Sequence, residues 1–95
     1  MITHIVCFKL QDRSESSIAE TVQVLANMKG KIPQLIEIEV GTDVLHLDRS
    51  YDIALVTRFH SMDDLQDYQV HPLHQEVIKH MKRVVESSVS VDYES

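Results

Sequence analysis

This chain is short of almost everything that builds specialised sites. Its 95 residues include two glycines, two prolines, one cysteine, no tryptophan and only 5% aromatic side chains. With Gly30 and Gly41 alone there is no glycine-rich phosphate loop, no Walker-type run and no nucleophile elbow. Nucleotide and nucleophilic-serine chemistry are therefore set aside. A single thiol, Cys7, excludes an internal disulfide and fits a reducing compartment. Positive charge is scarce as well: 9 Lys and Arg stand against 15 Asp and Glu, a net charge of −6. That balance argues against nucleic acid and anionic membranes as partners. No apolar run approaches bilayer length. The chain enters a strand-like segment straight after Met1, with neither a basic n-region nor a small-residue cleavage site. The expectation is one soluble cytoplasmic domain over residues 1–95, without an evident cofactor.

What is present is ordinary for a globular protein, 43% hydrophobic and 25% charged. A chain of this mass buries about two-thirds of its surface on folding, which leaves a thin core that an oligomer interface would supplement. Ile2 to Leu10 reads as a strand, with His4, Val6 and Phe8 on one face and Ile5 and Cys7 on the other. Ser17-Ile18-Ala19-Glu20 matches a capping box, with Ser14 as an earlier start, and Ile18, Val22, Leu25 and Ala26 line one helix face. Gly30 ends this helix and Pro33 prevents its return. Ile36, Ile38 and Val40 alternate with Glu37 and Glu39 in a half-buried strand ending near Gly41. Thr42 to Ser50 connects to a third strand, Tyr51 to His60. Ser61 with Asp64 offers a second helix start, and a further helical stretch runs from a turn at His71 to about Glu86. Val89, Val91 and Tyr93 alternate with Ser88, Ser90 and Asp92 in a closing strand.

The order β-α-β-β-α-β is the ferredoxin-like α+β arrangement, one antiparallel sheet with its helices on one side. The opposite face is expected to carry Val6, Phe8, Ala54 and Val56 among Glu37, Glu39, Arg58 and His4. Such an apolar patch is covered most simply by a second copy across a two-fold axis, so a homodimer is expected.

Chemistry concentrates in Asp67-Tyr68-Gln69-Val70-His71-Pro72-Leu73-His74. Proline biases His71 toward extended backbone and favours the first position of a helix, which places His74 one turn inside. On a wheel of about 100° per residue, His74 falls between Met81 and Val85 on the apolar arc. An imidazole there points inward and needs a hydrogen-bond partner or a ligand. His80 lies at the arc's edge. His71, His74 and His4 offer three imidazoles, but Pro72 breaks the helix between the first two and no carboxylate lies at ligand spacing, so no metal site is expected. Asp63, Asp64 and Asp67 read as a solvated helix start, and Cys7 as a small hydrophobe.

The opening His4-Ile5-Val6-Cys7-Phe8-Lys9-Leu10, Pro33, Gly41, Asp52, and Tyr68 followed by His71-Pro72-Leu73-His74 together resemble the stress-responsive dimeric α+β barrel family. The resemblance runs from about Thr3 to Asp92. It implies a homodimer whose sheets close into a barrel, with a cavity in each protomer. One plant member is a polyketide cyclase closing a ring by aldol condensation. Its catalytic histidine matches His74, its assisting tyrosine Tyr68 and its first-strand pocket histidine His4. Its further pocket tyrosine on the first helix is replaced here by Leu25.

Three readings follow. His4, Tyr68 and His71 contact a small hydrophobic or carbonyl-bearing ligand. Alternatively, His74 is a general base, Tyr68 donates to an enolate oxygen, and His4 orients the substrate or shares the proton. Or Tyr68 and His74 merely lock the helix turn. A cavity of roughly 300 Å³ or more touching His74 supports the ligand readings; a filled interior supports packing.

Overall fold

The computed structural model describes residues 1–95, in the order β1 (Ile2–Leu10), α1 (Glu15–Ala26), β2 (Glu37–Thr42), β3 (Ile53–Phe59), α2 (Met62–Val70), α3 (Pro72–Val84) and β4 (Val85–Glu94). The strands form one antiparallel sheet in the order β2-β3-β1-β4. This is the expected ferredoxin-like α+β fold, with its second helical stretch split at His71. α1 uses the earlier of its two starts: the Ser14 side chain accepts from the Ser17 N–H. Its regular turns end at Ala26, and Gly30 serves the following turn with φ +75, a conformation that glycine adopts without strain. α3 ends at Val84 and β4 follows directly, without the loop that an end near Glu86 implied.

Register decides which strand residues face the helices. Ile2 lies opposite Phe59, His4 opposite Thr57, Val6 opposite Leu55 and Phe8 opposite Ile53, and directly opposed residues share a face. Phe59, Ile53 and Leu55 belong to the core with Leu25, Met28 and Tyr68. His4, Val6 and Phe8 therefore lie on the helix side, which corrects the expectation that they occupy the open face. Both faces of β1 are apolar, so alternation alone could not tell the two apart. The open face carries Ala54 and Val56 as expected, joined by Ile5, Cys7, Val89, Val91 and Tyr93, with Arg58 donating to Glu37 at 2.7 Å. Val89 and Val91 are each 53% exposed, so an apolar patch remains for a second copy to cover.

The helices cover the sheet unevenly. α1 and α2 pack on β2 and β3, whereas α3 leans on α1 and α2 and stands away from β1 and β4. Only 17 of 95 residues are buried, the thin core expected of so small a chain. Asp52 braces one end of it. Buried at 2% exposure, it accepts from the Leu10 N–H and from Arg13 Nε, each at 2.9 Å. Arg13 Nη2 also donates to the Ser50 and Leu47 carbonyls. One carboxylate thus ties the end of β1, the start of α1 and the β2–β3 connector together. Asp52→Ala leaves the buried Leu10 N–H and Arg13 Nε without their acceptor and is expected to cost about 2–3 kcal/mol, read by urea denaturation. A loss within experimental error of zero contradicts that role.

Candidate functional site

The site begins with a diverted hydrogen bond. In an uninterrupted helix the Leu73 N–H would reach the Gln69 carbonyl, four residues back. His71 is extended (φ −62, ψ 138), and its Nδ1 accepts from the Leu73 N–H at 3.1 Å, with Pro72 opening α3. The freed Gln69 carbonyl accepts instead from His74 Nδ1 at 3.0 Å and from Gln75 Nε2 at 2.7 Å. A carbonyl only accepts, so Nδ1 of His74 carries a proton and Nε2 of the neutral ring keeps a lone pair.

The other two predicted residues meet His74 from different elements. The Tyr68 ring lies 4.4 Å from that of His74 and 4.9 Å from that of Phe59, centroid to centroid, and Tyr68 is fully buried. Its hydroxyl donates only to Met28 Sδ, at 3.8 Å. His4, on β1, sits directly opposite Asp92 on β4, and its Nδ1 is bonded to the Asp92 carboxylate. The carboxylate accepts, so Nδ1 of His4 carries a proton.

His4, Tyr68 and His74 line one cavity of about 370 Å³ under α3, with apolar walls that include Val6, Phe8, Leu25, Met28, Val77 and Met81. It exists because α3 stands off the β1–β4 half of the sheet. Leu25, on α1, forms part of the wall. His71 does not line this cavity; its Nδ1 accepts from the Leu73 N–H and caps α3. The residues that sequence reading missed are Asp92 and Gln69. Asp92 stands among the polar positions of the last strand's alternation, but only register pairs it with His4, and Gln69 acts through its backbone. No three His, Cys, Asp or Glu side chains converge as a metal site.

Burial lowers the pKa of His74 below its ordinary value; the Gln69 carbonyl opposes this in part, and nearby His4 and His71 reinforce it. The ring is therefore neutral at pH 7. Burial raises the Tyr68 pKa, which keeps its hydroxyl a donor throughout the physiological range. Above about pH 6.5, His74 is neutral in both folded and unfolded chains and its contribution to stability is complete. As pH falls below that value the unfolded chain takes up the proton first, and stability declines until the folded ring also titrates. The NMR titration of the His74 ring is expected to give a midpoint below the ordinary value; a midpoint at or above it contradicts this environment.

A profile of the stress responsive A/B barrel domain matches residues 2–95. No curated protein sequence matches the chain. Among solved structures, a dimeric protein of unknown function and ferredoxin-like fold from Bacteroides fragilis shares 30% identity at TM-score 0.83, over 99% of this chain and 95% of that one. A dimeric ferredoxin-like protein of unknown function from Thermobifida fusca superposes at TM-score 0.87 with 24% identity, over 99% and 90% of the two chains. The hydroxynitrile lyase of Passiflora edulis is similar at 25% identity and TM-score 0.82, over 97% of this chain and 90% of that one. No helix is long and apolar enough to cross a membrane. With a match spanning nearly its whole length and the fold in agreement, the chain belongs to the stress responsive A/B barrel domain family.

Proposed function

We propose that the protein is a cytoplasmic homodimer in which each protomer binds a small hydrophobic, carbonyl-bearing molecule in the cavity under α3. One observation carries this reading: Tyr68, His4 and His74 line a single, mainly apolar cavity of about 370 Å³, within the range of small-molecule pockets. A thioether is a weak acceptor, so the Tyr68 O–H exchanges Met28 Sδ for a ligand carbonyl at little cost. His74 Nε2 accepts from a ligand hydroxyl or an acidified C–H. The exposed Val89, Val91 and Tyr93, together with the dimeric state of solved relatives, support the homodimer.

A second reading, proton-transfer catalysis, is favoured by the unprotonated Nε2 of His74. As general base it removes a proton α to the carbonyl while Tyr68 donates to the developing enolate oxygen, and His4, oriented by Asp92, shares the proton. The similarity to a hydroxynitrile lyase is consistent with proton-transfer chemistry on this fold. A hydroxynitrile is the cyanide adduct of a carbonyl. Removing its hydroxyl proton forms the C=O as the C–C pair leaves with cyanide, which then takes the proton from the imidazolium.

Two measurements separate these readings. Aryl and alkyl ketones are expected to bind the wild-type protein, and Tyr68→Phe and His74→Ala each to weaken binding about tenfold, with the dimer intact by sedimentation. Absence of binding by any hydrophobic carbonyl compound removes the ligand reading. For catalysis, the protein in D₂O is expected to accelerate exchange of the ketones' α-protons and His74→Ala to abolish the acceleration; equal exchange by the variant removes His74 as base.

A further inference from the structure

The cavity has two unlike ends. At one, His4 and His74 approach with the Asp92 carboxylate behind His4. At the other, Lys82, Val85 and Ser88 close the space beside Phe8, whose strand partner is Ser88. The two ends are well separated. His74 and Lys82 are eight residues apart on α3, about 12 Å at the helical rise. His4 and Phe8 are four apart on β1, roughly 13 Å. Between them the walls are apolar.

Lys82 is the one permanent cation lining this space, and no Asp or Glu lines it. Arg13, Arg58 and Lys79 each have a carboxylate partner, whereas no ion pair engages Lys82. In a chain of net charge −6, an ammonium without a carboxylate at a cavity rim is an offer to an anion. Asp92 repels negative charge at the opposite end, so the two charges together set an orientation.

We infer that the cavity takes an anionic amphiphile: a carbonyl against Tyr68 and His74, an apolar chain or ring along α3, and a carboxylate at Lys82. This rests on the ligand reading above and narrows it to a class, keto acids of about 12 Å span. Lys82 also lies in the last turn of α3, where a cation complements the helix dipole, but Arg83 shares that position without lining the cavity and serves as the control.

The test compares 9-oxodecanoate with its methyl ester, an uncharged molecule of the same skeleton, by calorimetry on the full chain. The wild type is expected to prefer the acid about fivefold, a preference that shrinks in molar salt. Lys82→Met is expected to abolish the preference by weakening the acid alone, and Arg83→Met to leave both affinities unchanged. Equal binding of acid and ester by the wild type, or a preference that survives Lys82→Met, overturns the inference while the ligand reading stands. Binding of neither probe overturns both.

Discussion

The hydrogen bond from His74 to the Gln69 carbonyl is the constraint on which the site depends. It is available only because the helix breaks at His71, where the imidazole and Pro72 take over the work of capping α3. An intact helix would occupy that carbonyl with the Leu73 N–H and leave the His74 ring free to choose either tautomer. The break therefore does two things at once. It turns His74 over Tyr68, and it commits Nδ1 so that Nε2 is the basic atom. Burial then keeps the ring neutral.

The cavity follows from a second economy. A chain of this size cannot cover a four-stranded sheet with close-packed helices throughout. α1 and α2 close over β2 and β3, where Phe59, Ile53 and Leu25 are buried, and α3 is held off β1 and β4. The space that results is bounded by His4, Val6 and Phe8 on the strand side, which makes the inward face of β1 both core and site. The outward face, with Ile5, Cys7, Val89 and Val91, is left for a partner. On the proposed reading, ligand and second copy take opposite faces of the same strand.

Much of this was legible in the sequence. The periodicities gave every element, the proline placed the helix break, and the wheel put His74 on the inward arc. His4, Tyr68 and His74 line one cavity, a grouping that only the family resemblance implied. The parts that were not legible share one cause: they depend on pairing between distant residues. Which face of β1 meets the helices is fixed by Leu55 and Ile53 opposite it, not by β1 itself. Asp92 reaches His4 across a separation of 88 residues. The cap that His71 gives α3 is an uncommon one for histidine, and the role of Gln69 belongs to its backbone, which carries no side-chain signature.

The central claim is a statement about one proton, and nitrogen-resolved NMR reads it directly. In the ¹⁵N spectrum of the His74 ring at neutral pH, a protonated Nδ1 and a bare Nε2 are expected, the pattern that the Gln69 carbonyl imposes. A proton on Nε2, or a ring exchanging freely between the two forms, contradicts the account.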